Sequence, residues 1–300
     1  MKIGYASTNT SLPCKSTKTF RFSSFSEARF RETVVNNLDC LKQILNFNLQ
    51  HNILFFRITS DLIPFASHPI NRIPWQEMYA DKLASLGKFV WEKGMRVGMH
   101  PDQFVVINSS SSEVVKNSVA ELVYHVEVLN LMNLDYSHKI QIHIGGAYGD
   151  KLSATARFIN RYKSLPETVK RRLVIENDET LYGVKDCLWV SEQTGIPIVF
   201  DIFHYRIKEY KDTVKEVMQK VALTWKQVDG LPIVDYSNQA PNKRFGSHSQ
   251  TIDTADFMRT VQELKGFDFD IMLEVKDKEI SAIKALEAIK QRYAKESSSH

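Results

Sequence analysis

Nine histidines occur in this 300-residue chain. Five of them, His68, His100, His143, His204 and His248, stand near the end of short apolar runs or, for His68 and His248, in the loops that follow. Acids occupy matching places elsewhere: Glu176, Asp201, Asp235 and Glu274. The other histidines fall in helix-like stretches or their ends (His51, His125, His138) or at the chain end (His300). Imidazole and carboxylate bind borderline and hard divalent cations. One histidine at such a place is more often a hydrogen-bonded core residue than a ligand. The set reads differently, because imidazoles and carboxylates converging on one mouth repel or stay unsatisfied unless cations hold them. One ion uses about three to five protein groups, so this donor set implies two or three ions. A central carboxylate such as Glu176 could bridge two of them. Ions ~3.5–4 Å apart can activate a water and stabilise both the attacking and the leaving oxygen of a phosphodiester.

The elements that must gather these residues form a repeating pattern of a short β-branched or apolar run followed by a longer amphipathic one. The runs are Lys2–Ser7, Ile53–Thr59, Arg96–His100, Lys139–Gly145, Leu173–Asp178, Ile196–His204, Leu231–Ser237 and Asp270–Val275. Between and after them the spacing predicts helices over Glu27–Asn46, Trp75–Lys93, Glu113–Leu134, Ala154–Leu165, Val184–Thr194, Glu209–Lys220, Thr254–Lys265 and Glu279–Tyr293. Ser26 and Asp253-Thr254 are suitable helix starts, and Gly94 and Gly195 suitable stops. Strict β/α alternation implies right-handed crossovers and a parallel sheet, and eight units suit a closed (β/α)8 TIM barrel. In such a barrel the strand C-termini share one rim, where the histidines and acids would meet. Residues 1–294 are read as a single barrel domain and residues 295–300 as a flexible C-terminal tail.

Composition narrows the classes. At 43% hydrophobic and 25% charged the chain is an ordinary globular protein, neither disordered nor fibrous. A net charge of +4 does not by itself announce a polyanion partner. That case rests on basic residues expected along the rim: Lys15, Lys18, Arg21, Lys151, Arg206, Lys243 and Arg244. Such charges are individually most often a solvated face. Cys14, Cys40 and Cys187 are odd in number, widely spaced and without a CxxC motif, so neither a disulfide framework nor structural zinc is expected. No GxGxxG or P-loop string follows a strand, which argues against a nucleotide cofactor. No leader and no apolar run of the roughly 20 residues that span a bilayer is found, so a cytoplasmic location without a membrane partner is expected.

The strings IGYAS with Asn9, RITSDLIPFASH, MHPDQFVVINS, IHIGGAYGDK, IENDE, FDIFH, DYSNQ with a later GSH, and MLEVKDK run from the first unit to the last. Through them the chain resembles the UV damage endonucleases, and more distantly the endonuclease IV and xylose-isomerase-like barrels. The resemblance implies an enzyme acting on UV-damaged double-stranded DNA, and a monomer is expected. It implies cleavage of the phosphodiester immediately 5′ to a cyclobutane pyrimidine dimer or 6-4 photoproduct, with a 3′-hydroxyl product. It implies two or three divalent ions, Mn²⁺ first, with Zn²⁺, Mg²⁺ or Co²⁺ as alternatives. The implied ligands are His100, His143, Glu176, Asp201, His204, Asp235, His248 and Glu274. Glu176 and His68 are the catalytic candidates, His68 standing between ligand and phosphate contact. Asp235 stands where members often carry histidine, which favours manganese over zinc. Gln103 and Phe104 would enter the lesion, Tyr5 and Asn9 would line its pocket unless Tyr5 simply caps the core, and Lys151, Lys243 and Arg244 would follow the phosphates. The same donors could instead serve a metal-dependent sugar isomerase or epimerase, an apurinic-site endonuclease, or a catalytically silent binding scaffold.

Overall fold

A computed structural model describes residues 1–208 and 211–297. Its strands are β1 (Ile3–Ala6), β2 (Phe55–Ile58), β3 (Arg96–Met99), β4 (Ile140–His143), β5 (Leu173–Glu176), β6 (Ile198–Asp201), β7 (Ile233–Tyr236) and β8 (Asp270–Leu273). They close in sequence order into a barrel, each pairing in parallel with the next and β8 with β1. The helices are α1 (Glu27–Gln50), α2 (Trp75–Glu92), α3 (Ser112–Leu131), α4 (Lys151–Ser164), α5 (Glu167–Lys170), α6 (Val184–Thr194), α7 (Ile202–Ile207), α8 (Val214–Ala222), α9 (Thr254–Glu263) and α10 (Glu279–Ser297). The (β/α)8 architecture expected from the alternation is therefore the one observed.

Local chemistry sets the element ends. Ser26 accepts from the Arg29 amide at the start of α1, Asp253 caps α9, and Gly195 closes α6 at φ 76°, a left-handed conformation that glycine adopts without steric cost. The apolar run that suggested a strand as far as His204 is cut short at Asp201. There the carboxylate accepts from the His204 amide at 2.7 Å and starts α7. The next helix begins at Val214 behind a Thr213–Glu216 capping box, not at Glu209, which with Tyr210 lies outside the described residues. At the other end α10 runs to Ser297, so 295–297 of the expected tail are helical and 298–300 lie outside the described residues.

Alternation along each strand divides the core in two. Outward residues such as Ile3, Tyr5, Phe56, Val97, Ile142, Ile175, Phe200, Val234 and Leu273 pack under the helices. Inward residues fill the barrel in layers, as the shear of a closed cylinder requires. The floor is polar: Arg96 pairs with Asp270 at 3.0 Å, and Lys139 with Asp229. Above it Phe55, Val174, Val199, Ile233 and Met272 form a dry plug. Two residues further along those same strands stand Arg57, Glu176, Asp201, Asp235 and Glu274, so the alternation itself carries these groups to the mouth.

Cys14, in the β1–α1 loop, is disulfide-bonded to Cys40 in α1, with Cα atoms 5.7 Å apart. This corrects the expectation of no disulfide. The separation of 26 residues hides the fact that the loop and α1 lie side by side. Cys187 is free and buried.

Candidate metal centre

Three overlapping donor sets lie at the C-terminal mouth: His100, His143 and Glu176; Glu176, Asp201 and His204; and Glu176, Asp201, Asp235 and Glu274, with the ligand atoms of each set within 4.8 Å of one another. Glu176 belongs to all three. Its Oε2 lies 3.5 Å from His100 Nε2 and 3.4 Å from His143 Nε2, and its Oε1 lies 3.6 Å from His204 Nδ1. The parallel register explains the gathering, because His143 sits beside Glu176 and Asp201 beside Asp235 on adjacent strands.

His248 lies outside these sets, on the loop after β7, with its ring 5.8 Å from that of His204. His100 Nδ1 contacts the Pro101 carbonyl at 2.8 Å, and His248 Nδ1 contacts the Glu274 carbonyl at 2.7 Å. A carbonyl only accepts, so in both rings Nδ1 carries the proton and, in the neutral form, Nε2 keeps a free lone pair. Backbone acceptors of this kind orient histidines that bind metals.

Buried negative charge dominates the mouth. Burial pushes the Asp201 carboxyl well above its ordinary range, Glu176, Glu274 and Asp235 adding to the effect and His204 opposing it. Asp235 is pushed up to about 7 by burial, with Glu274 and Glu176 adding to it and Arg57 working against it. Burial would also raise Glu176, but His143, His100 and His204 outweigh it and hold this carboxyl well below its usual range. Asp201 Oδ2, Asp235 Oδ1 and His143 Nδ1 are buried without a hydrogen-bond partner among the described residues, although His204 Nδ1 lies 3.2 Å from the first of them. Orphaned donors-to-metal beside crowded acids are what a divalent-cation site leaves when only its protein groups are counted, so the residues fit such ions.

The sequence reading missed Arg57 and Gln141, both in the inward layer. Arg57 pairs with Asp235 Oδ2 at 2.7 Å and with Glu274, and donates to Gln141 Oε1 at 2.8 Å. Gln141 Nε2 donates to Glu176 and to Asp235, each at 2.6 Å. The signal was present as charged and amide residues inside otherwise apolar strand runs, at inward parity. Glu179, on the β5–α6 loop, reaches His204 Nε2 at 3.5 Å and was also missed.

The remaining candidates are placed unevenly. Gln103 and Phe104 occupy the middle of a turn closed by Val105 N to Asp102 O at 3.0 Å, and Phe104 is 56% exposed. His68 is exposed and lies outside the metal-holding sets among the described residues, its ring 5.4 Å from Phe22. Lys243 and Arg244 are exposed on the loop that carries His248, whereas Lys151 pairs with Asp186 at 2.8 Å. Arg206 pairs with Asp256 and Glu263. Tyr5 is fully buried on the outward face of β1, where its hydroxyl donates to Asn48 at 2.7 Å and accepts from Asn9, itself 4% exposed. These two residues hold the β1–α1 loop, and with its side chain fully buried Tyr5 follows the core-capping alternative.

Beside the Phe104 turn, a cavity of about 480 Å³ is lined by Asp61, His68, Asp102, Phe104, Glu121 and others. Burial raises the Glu121 carboxyl to about 7 from 4.5; Asp102 and Asp61 add to this, while the Ser67 hydroxyl, which donates to it, opposes it. The folded state thus keeps this proton where the unfolded chain has lost it. The contribution to stability is present below pH 4.5 and falls as pH rises through 7. At ~1.4 kcal/mol per pKa unit, Glu121→Gln should stabilise the fold by about 3 kcal/mol at pH 8 and hardly at pH 4.5. Thermal melts at the two pH values check this, and an equal shift at both refutes the assignment.

With this geometry in view, comparison with known proteins is informative. The family model of UV-endonuclease UvdE matches residues 1–296. A UV DNA damage endonuclease of Clostridium perfringens is 42% identical over 295 residues, covering 97% of this chain and 71% of that protein. One from Bacillus mycoides is 30% identical, covering 95% and 93%. The crystal structure of SacUVDE superposes with a TM-score of 0.93 at 45% identity, covering 98% of this chain and 99% of that one. Endonuclease IV from Thermus thermophilus, at TM-score 0.55 and 14% identity, shares the fold. No helix among the described residues is long and apolar enough to cross a membrane. A barrel whose mouth gathers histidines and acids, matched along almost its whole length to these enzymes, belongs to the UV-endonuclease UvdE family of DNA-repair endonucleases.

Proposed function

We propose that this endonuclease is metal-dependent and hydrolyses the phosphodiester immediately 5′ to cyclobutane pyrimidine dimers and 6-4 photoproducts in double-stranded DNA, leaving a 3′-hydroxyl. The observation that carries the metal dependence is the sharing of Glu176 by three donor sets at the barrel mouth. Divalent ions, manganese first, would supply a nucleophilic water and charge stabilisation for the departing 3′ oxygen. His100, His143, Glu176, Asp201, His204, Asp235 and Glu274 would hold them, with His248 beside His204 as a further ligand. Asp235 in particular adds a hard oxygen donor, which suits manganese.

The protein's other contribution is to present the strand. The exposed Phe104, raised on its turn with Gln103, supports insertion at a lesion, where base pairing is already weak and extrusion costs less. Lys243 and Arg244 are exposed and would follow the backbone, with His68 on the Phe104 side of the mouth as a phosphate contact. The chain would work as a monomer. Irradiated and unirradiated supercoiled plasmid, each incubated with Mn²⁺ or with chelator, tests the reading. Nicking is expected only for irradiated plasmid with Mn²⁺. Equal nicking of unirradiated plasmid would overturn the lesion specificity, and nicking in chelator the metal dependence.

A further inference from the structure

We propose that Phe245 is a DNA contact, its ring stacking on an unpaired nucleobase across the barrel mouth from Phe104. The inference rests on the chain's action on DNA and not on the lesion or the bond proposed above. Phe245 lies in the β7–α9 loop, 67% exposed, directly after the exposed Lys243 and Arg244 and shortly before His248. The strands close in sequence order, which puts β3 and β7 on opposite walls of the barrel and the loops that follow them on opposite sides of the mouth. Phe104 marks one side and Phe245 the other. The β7–α9 loop rests on the rim there, because a Cβ added at Gly246 would lie 3.9 Å from Glu179 and 3.9 Å from Ile207 of α7. Glu179 in turn reaches His204.

The ring is held out on a braced backbone. Gln239 ties the loop from within: its Nε2 donates to the carbonyls of Ala240 and Arg244, each at 3.1 Å, and its Oε1 accepts from the Gly246 amide at 2.8 Å. The residues on either side of Phe245 are therefore fixed to one side chain. At the base of the loop the Ala240 amide donates to the Ser247 carbonyl at 2.7 Å, and Gln239 bridges to His248. A backbone set before DNA arrives loses little freedom on contact. An aromatic beside two cations is also the combination that holds unpaired nucleic acid, the cations taking phosphates and the ring a base face. In an intact duplex those faces are covered by neighbouring bases, so the partner of Phe245 is a base freed by distortion of the helix. Every base has such a face, and the contact is tolerant of sequence.

The test is DNA affinity. An irradiated strand is annealed to a dye-labelled, unirradiated complement, and binding by the full chain in Mn²⁺ is followed by fluorescence anisotropy over a series of salt concentrations. The label sits on the strand without lesions, so the signal reports binding whether or not the other strand is cut. Phe245→Leu keeps an apolar side chain without a ring face and should raise Kd by about 5- to 100-fold, the range of one base stack. It should leave the slope of log Kd against log salt unchanged, because stacking releases no counterions. Phe245→Tyr should restore binding, and Lys243→Ala should flatten the slope by about 1. Phe245 is exposed, so its variants should melt with the wild-type chain. A leucine variant that binds like wild type overturns the proposal, and so does a tyrosine variant as weak as the leucine one or a changed slope in Phe245→Leu. An unchanged slope in Lys243→Ala overturns it too, by placing the loop away from DNA. A wild-type chain that binds the irradiated duplex without nicking it overturns the cleavage proposed above, while the affinities still decide the role of Phe245.

Discussion

Glu176→Gln is expected to lower lesion-dependent nicking by at least ~10³-fold, equivalent to about 4 kcal/mol of lost transition-state stabilisation. The reason is geometric. Glu176 is the one residue common to all three donor sets, with three imidazoles within 3.6 Å of its oxygens. An amide in its place would carry no charge and would turn an NH₂ toward at least one of those rings. The fold should tolerate the change, because the layer beneath Glu176 is the apolar plug and glutamine keeps the shape of the side chain. The metal-free variant should therefore still melt cooperatively, losing only the pairing of Glu176 with the three imidazoles, while its Mn²⁺ content falls. Activity within tenfold of wild type, measured on irradiated plasmid with saturating Mn²⁺, would sink the role assigned to this residue.

Much of this architecture is written in short-range pattern. The eight apolar runs each contain the observed strand, because a fully buried parallel strand needs an apolar, β-branched stretch on both faces. His143, Glu176 and Asp201 could be found because a barrel puts strand ends at one mouth, a rule that needs no distances. Other features depend on contacts that no local pattern encodes. Asp201 looks like one more strand residue until its carboxylate is seen to cap α7. Tyr5 sits at the correct end of β1 for a rim residue, but parity turns it outward, toward Asn48 on α1. Arg57 was passed over because an arginine in an apolar run reads as an anomaly until its partners on β4, on β7 and just after β8 are brought across the barrel. The Cys14–Cys40 pair likewise depends on how α1 folds back along the loop, which spacing alone does not reveal.

Asp270→Ala is expected to destabilise the fold by about 3–5 kcal/mol, the usual cost of leaving one member of a buried ion pair without its partner. Arg96 is 3% exposed and Asp270 2%. Asp270 accepts from Arg96 at 3.0 Å and from the Lys2 amide at 2.6 Å, tying β3 and β1 to β8 across the barrel floor. Burial already pulls the Arg96 pKa down, and Asp270 is the main group opposing that. Without that carboxylate, the guanidinium keeps the carbonyls of Ser137, Leu231 and Asp229, the weaker pull of the Asp135 and Asp229 charges, and its stacking over Phe55 and Trp225. The melting temperature should fall by roughly 6–15 °C. Because the apolar plug separates the floor from the mouth, nicking by the protein that remains folded at 25 °C should stay within a few-fold of wild type. Replacing both partners, Arg96→Met with Asp270→Leu, should recover much of the loss, since the penalty comes from the stranded charge. A double variant as unstable as Asp270→Ala alone would show that the floor is held by the shape of these side chains and not by their charge.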